Sequence, residues 1–339
     1  MLDKIDLKII NLLGMDCRRS CRSIALAVDL TPRSVKSRID KMISKGIIGS
    51  FILNVNPAIF GYETVCFLII RNANKKKKYN FRTKTQSSMP EAQEEKKDNY
   101  NDYYYYYNND INDFNNSIIN RLNLLGDLLV HVECLGGITV FCLVVKAGMG
   151  HKIDNLISQL SHMIIQSTIV NQRLEQASLM KINKSDLKIV KSLLTSPRME
   201  IADIAKEVSM SVKTIRRRLD LMKRNHILEF TILCNPASMG ASYIQFGVAI
   251  DVERDLYQNV IERIYRELQD YFLCHPPVIN YDDVIHLVMC SIDIRTIDSI
   301  LRKIESYDGV NAAEVFLPTK VMHYQDWIVR EINKMLIRH

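Results

Sequence analysis

The 339-residue sequence lacks several features that would mark it as secreted, membrane-bound or fibrous. Its eight cysteines include no Cys-x-x-Cys pair. A chain this long can build a core without disulfide staples, so the cysteines read as reduced thiols of a cytoplasmic protein, buried as small hydrophobes. Long apolar runs are also missing. The longest apolar region, Leu128 to Val145, is interrupted by His131, Glu133 and the Gly136-Gly137 pair, which makes it a poor membrane span. The opening Met1-Leu2-Asp3-Lys4-Ile5-Asp6-Leu7-Lys8 alternates charge with aliphatic residues and has no signal-like apolar stretch. With 47% hydrophobic and 24% charged residues, the chain is expected to be soluble and globular, not collagen, a coiled-coil rod or wholly disordered.

The excess of positive charge is concentrated in two places. Residues 1–71 carry 11 Lys and Arg against 6 Asp and Glu, and residues 181–240 carry 12 against 6. Residues 72–180 are nearly balanced at 12 against 11, and residues 241–339 are acidic at 10 against 15. Two local basic segments in an otherwise neutral or acidic chain suggest a polyanion met at two points.

These segments are copies of one another. A shift of 180 positions lays Asp6-Leu7-Lys8-Ile9 over Asp186-Leu187-Lys188-Ile189, Arg18 over Arg198, Ile24-Ala25 over Ile204-Ala205, Arg38 over Arg218 and Met42 over Met222. With the shift reduced by one, Asn56-Pro57-Ala58 falls on Asn235-Pro236-Ala237. Each copy predicts three helices and a strand pair. The second and third helices are joined by Asp29-Leu30-Thr31 or Ser209-Met210-Ser211, whose last residue suits a helix N-cap. Pro32 fits the first turn of the following helix. Val35, Ile39 and Met42, and likewise Ile215, Leu219 and Met222, share one apolar stripe. The remaining face carries Arg33, Ser34, Lys36, Ser37, Asp40 and Lys41 in one copy, and Lys213, Thr214, Arg216, Arg217, Asp220 and Lys223 in the other. Residues 47–53 and 227–233 read as a short β-ribbon, or wing, within each module.

A tight turn leading into a cation-faced helix suits the major groove of double-stranded DNA, which admits one α-helix and offers acceptors to Arg, Lys, Ser and Thr. The candidate contacts are Thr31, Arg33, Ser34, Lys36, Ser37 and Lys41 from the first module, and Ser211, Lys213, Thr214, Arg216, Arg217 and Lys223 from the second. Arg38 and Arg218 lie nearer the buried stripe and are expected to buttress the module or reach phosphate. A solvated charged face is the alternative; repetition of the whole pattern, capped turn included, favours DNA.

The series Leu2-Asp3, Asp6, Ile10, Leu13, Arg18-Arg19-Ser20, Ile24-Ala25, Leu30-Thr31, Val35, Arg38-Ile39, Gly46-Ile47-Ile48, Asn56-Pro57 and Gly61 resembles the leucine-responsive regulatory protein/AsnC (Lrp/AsnC) family. The second copy resembles it more loosely, with Ser209 and His226 where the family has glycine.

Beyond each module the sequence predicts βαββαβ, a ferredoxin-like sheet with helices on one side. The first copy has strands near 64–70, 128–135, 138–146 and 165–174. The second has strands near 243–252, 278–281, 284–292 and 312–321, then a final helix at 326–337. The expected fold is therefore α+β, with winged helix-turn-helix domains at 1–61 and 181–240. Ferredoxin-like domains follow at 62–180 and 241–339. Residues 72–116, with Lys75 to Lys78 and Tyr103 to Tyr107, read as a low-complexity insertion. The resemblance implies that the sheets bind a small-molecule, amino-acid-like effector, with Gly136 and Gly137 as candidate residues. Two such domains in one chain suggest an intramolecular pseudo-dimer or a homo-oligomer, reading an asymmetric operator.

No cofactor, metal or catalytic residue is expected. His275, His286, Cys274 and Cys290 have poor zinc-ligand spacing, and Cys17 with Cys21 lacks further ligands. Siroheme decarboxylases join similar units and carry a His-Asn-Tyr-like element; Ile279-Asn280-Tyr281 here lacks the histidine, so a tetrapyrrole enzyme is a weaker alternative. A DNA-silent ligand sensor is another.

Overall fold

The computed structural model describes residues 2–72, 114–146, 149–159, 164–173, 182–239, 243–273 and 284–338. In the first module α1 (Lys4–Met15), α2 (Cys21–Val28) and α3 (Pro32–Ser44) precede β1 (Ile48–Val55). In the second, α6 (Lys184–Thr195), α7 (Ile201–Glu207) and α8 (Val212–Arg224) precede β6 (Leu228–Cys234) and the short α9 (Pro236–Met239). Capping explains where these helices start. Asp3 and Asp6 form a reciprocal capping box on α1, and Asn183 and Asp186 do so on α6, satisfying N–H groups with no partner inside the helix. The tight turns close in the left-handed region at Asp29 (φ 54°) and Ser209 (φ 55°).

The ribbon differs from expectation. β1 does not fold back within its module; it pairs antiparallel with β6 of the other, with Phe51 opposite Ile232 and Leu53 opposite Phe230. Alternating apolar residues define a strand but not its partner. Here each module offers a single strand, and the two satisfy one another. Backbone bonds extend the exchange at both ends: Asn56 N–H donates to the Ile227 carbonyl (2.9 Å) and Asn235 N–H to the Ile47 carbonyl (3.0 Å). The two modules consequently share one hydrophobic core.

The first sheet contains β2 (Tyr62–Asn72), β3 (Asp127–Cys134), β4 (Ile138–Lys146) and β5 (Ile164–Arg173), in the order β3-β4-β2-β5. A helix over residues 114–122 (α4) and α5 (Gly150–Gln159) complete it. Cys66, Leu68, Ile70, Phe141 and Leu143 pack against Phe114, Ile118 and Leu122. The structureless insertion expected over 72–116 is thus too long: Phe114 and Asn115 are buried in α4. Lys75 to Lys78 and Tyr103 to Tyr107 lie outside the described residues.

The second sheet runs β8-β7-β9, from β7 (Ile244–Val252), β8 (Val284–Ser291) and β9 (Val310–Phe316), with α10 (Tyr257–Leu268) and α11 (Ile294–Glu305). The strand expected near 278–281 lies outside the described residues. Phe67 and His286, each between two residues that face helices, stack at 5.1 Å, so the helix-free faces of the two sheets meet.

The strand expected over 312–321 is in fact two. After β9 the chain leaves its own sheet at Leu317, and β10 (Pro318–His323) pairs antiparallel with β3 at the edge of the first sheet. There the Tyr324 hydroxyl lies 2.8 Å from His131 Nδ1, and Lys320 lies 3.5 Å from Glu133. The hydrogen bond to His131 outweighs burial and holds the Glu133 carboxyl below its ordinary range. The final helix, α12 (Asp326–Arg338), packs Trp327 edge-on against Phe60 and Tyr62. Its Arg330 bonds to Asp127, which also accepts from the Tyr62 hydroxyl.

Candidate nucleic-acid interface

The third helix of each module buries one stripe and exposes the rest. Val35, Ile39 and Met42 are buried in α3, as are Ile215, Leu219 and Met222 in α8. Positions 31–42 and 211–222 share the same sequence of buried, half-buried and exposed sites. Arg33, Lys36, Ser37 and Lys41, and in the copy Lys213, Arg216 and Arg217, all stand exposed. None of these cations makes an ion pair among the described residues. They form the open face that the periodicity indicated.

The small polar residues have a local role. Thr31 caps α3 by accepting from Ser34 N–H (3.1 Å), and its hydroxyl lies 2.9 Å from that of Ser34. Ser211 and Thr214 repeat the arrangement at 3.1 and 2.8 Å. These four hydroxyls fix the start of the exposed helix and stand at its edge.

Arg38 and Arg218 buttress, as their position near the stripe suggested. Arg38 Nη1 lies 2.7 Å from both Asp3 Oδ2 and Asp6 Oδ1. These hydrogen bonds raise its already high pKa further. In return they hold Asp3 below the ordinary carboxylate range, against the upward push of burial. Arg218 grips the fully buried Asp186 with Nε (2.6 Å) and Nη2. Each third helix is therefore locked to the first helix of its own module by a charge-assisted bond.

Lys223 is exposed like the other expected contacts but has a partner: its ammonium pairs with Asp16 of the other module at 2.6 Å and lies over the Phe230 ring, so it also ties the two modules together. Two arginines that the sequence reading did not single out do similar work. Arg18 donates to the carbonyls of Pro197 (2.6 Å) and Met199 (2.8 Å) and lies 5.3 Å from the Phe230 ring centre. Arg198 lies 4.9 Å from that of Phe51. The available signal was the coincidence of Arg18 with Arg198 in the repeat.

Gly136 and Gly137 form the tight connection from β3 to β4, both left-handed at φ 79° and 77°. Gly136 is exposed, and a Cβ there would meet nothing within 4 Å. The backbone of this turn is accessible but strongly constrained. Ile279-Asn280-Tyr281, Cys274 and His275 lie outside the described residues. Among the described residues no helix is long and apolar enough to cross a membrane.

A model of the AsnC-type helix-turn-helix domain matches residues 2–43, and a model described as winged helix-turn-helix DNA-binding matches 182–229. The HTH-type transcriptional regulator Ptr1 of Methanocaldococcus jannaschii is 38% identical over 68 residues, 20% of this chain and 46% of that protein. An uncharacterized HTH-type transcriptional regulator of Pyrococcus abyssi is 36% identical over 69 residues, 20% of this chain and 44% of that one. The chain thus spans about half the length of the curated relatives it matches. A crystal structure of the siroheme decarboxylase NirDL aligns over 99% of both chains at 12% identity with a TM-score of 0.48, a likeness too slight to bear on activity. The chain thus carries an AsnC-type helix-turn-helix domain near its start and a winged helix-turn-helix domain in its second half.

Proposed function

We propose that the protein is a sequence-specific transcriptional regulator that binds double-stranded DNA as an intramolecular pseudo-dimer. What supports the reading above all is the repeated, exposed cationic face of α3 and α8, on which Arg33, Lys36, Lys41, Lys213, Arg216 and Arg217 make no ion pair among the described residues, carried by two modules that the β1–β6 pair joins. Arg33, Lys36 and Ser37 serve one half-site, and Lys213, Arg216 and Arg217 the other. Thr31, Ser34, Ser211 and Thr214 position the helices, and Lys41 reaches phosphate. An amino-acid-like effector, bound by the accessible backbone around Gly136 and Gly137, would modulate binding through the sheets.

The test is a mobility-shift titration across salt concentrations. If each reader neutralises about three phosphates, the log–log slope of affinity against salt is about −5. Changing Lys213, Arg216 and Arg217 together to Ala abolishes specific binding. An affinity indifferent to salt, or no shift of any duplex at low ionic strength, would overturn the reading in favour of a sensor without DNA.

A further inference from the structure

The two readers share a backbone but not a chemistry. Where α3 presents Lys36-Ser37, α8 presents Arg216-Arg217 at matching exposed positions. The second helix of each module, together with the two residues that lead into it, differs in the opposite sense. Residues 19–27 hold two arginines, Arg19 and Arg22, and no acid. Residues 199–207 hold Glu200, Asp203 and Glu207 with the single cation Lys206, which is paired with Asp203 at 3.3 Å. In a helix-turn-helix docked on DNA this second helix crosses the phosphate backbone, while the third enters the groove.

We infer, resting on the DNA-binding reading above, that the readers divide the work. The first holds the sugar-phosphate backbone through Arg19 and Arg22, and the second selects sequence through Arg216 and Arg217. A guanidinium presents two parallel N–H donors in a rigid fork that matches the O6 and N7 acceptors of guanine, whereas a lysine meets them as a flexible point charge and a serine with a single hydroxyl. The half-site under α8, met by two exposed guanidinium forks, is therefore richer in guanine than the one under α3, where Arg33 is the single exposed fork and stands opposite Lys213 of the copy. Glu200 and Asp203 sharpen the difference: they repel phosphate beside α8, so affinity there depends on the correct bases. Close approach of the second reader to a wrong sequence gains little from the backbone.

Selection of bound duplexes from a random pool tests this, using the full chain, an R216K/R217S variant that gives α8 the residues of α3, and an R19A/R22A variant. The expected wild-type motif has guanines concentrated in one half. In R216K/R217S that half loses its guanines while the other is retained, and affinity for the wild-type motif falls roughly tenfold to a hundredfold. In R19A/R22A the motif is unchanged, affinity falls by a similar factor on every duplex, and the salt slope decreases by about 2. A wild-type motif with equal halves, or a motif in R216K/R217S identical to wild type, overturns the division of labour while leaving DNA binding intact. Enrichment of no motif at all by the wild type overturns DNA recognition itself.

Discussion

Arg18 reaches across the junction between the two modules and lies 5.3 Å from the centre of the Phe230 ring. From the opposite side Arg198 lies 4.9 Å from Phe51, so the duplicated arginines each cover an aromatic residue of the other copy. The exchange is unequal, because Arg18 also donates to the carbonyls of Pro197 and Met199. A hydrogen bond from a charged donor is worth about 1.5–3 kcal/mol, and a half-exposed cation–π contact about 0.5–1 kcal/mol. Arg18→Ala is therefore expected to destabilise the protein by about 2–4 kcal/mol, and Arg198→Ala by about 1 kcal/mol or less. Urea denaturation of the two variants measures the difference; equal losses would show that the carbonyl bonds contribute nothing.

A second prediction concerns His226, which stands where the first copy has Gly46. Both adopt positive φ, 66° at Gly46 and 51° at His226. A residue with a Cβ is strained there by roughly 1–2 kcal/mol, while glycine in its place costs part of that in unfolded-state entropy. His226→Gly is expected to raise stability by up to about 1 kcal/mol. The polar contact at this turn survives, because Asn56 Nδ2 donates to the His226 backbone carbonyl at 3.3 Å and not to its ring. The reverse change, Gly46→His, destabilises by a comparable amount. If thermal denaturation finds His226→Gly less stable than wild type, the left-handed conformation costs this residue little.

Much of this architecture was legible in the sequence, for identifiable reasons. The helices of both modules follow from the spacing of Val35, Ile39 and Met42 and of Ile215, Leu219 and Met222. Their ends follow from Thr31 and Ser211 as caps. The exposed cations of α3 and α8 were legible because a helix with one buried stripe has no other place for Arg33, Lys36, Arg216 or Arg217. Pairing was not legible. Residues 48–55 satisfy the strand pattern whether they meet their own module or its copy, and only long-range closure selects β6. Residues 312–321 look like one strand because nothing but Pro318 marks the point where the chain changes sheets. The link from Lys223 to Asp16 was not legible either, because the two lie 207 positions apart.

The last prediction follows from two histidines held in their neutral form. His286, stacked on Phe67 between the sheets, and His323, at the end of β10, are each pushed down to about 4 by burial. In the unfolded chain both titrate near 6.5. Between these values the unfolded state binds more protons than the folded one, so stability is fully present above about pH 7 and is lost as the pH falls toward 4. Each histidine adds a slope of at most about 1.4 kcal/mol per pH unit in that window. Glu133 contributes only further down: its pKa is depressed when folded, so its stabilisation persists above the unfolded value near 4.3 and fades below it. Unfolding free energies at pH 7.5 and pH 5 should therefore differ by a few kcal/mol in the wild type. The difference should shrink in His286→Phe and His323→Phe, which remove one titrating ring apiece. A wild-type stability that is flat across this range would mean that neither ring is kept from its proton by the sheets that surround it.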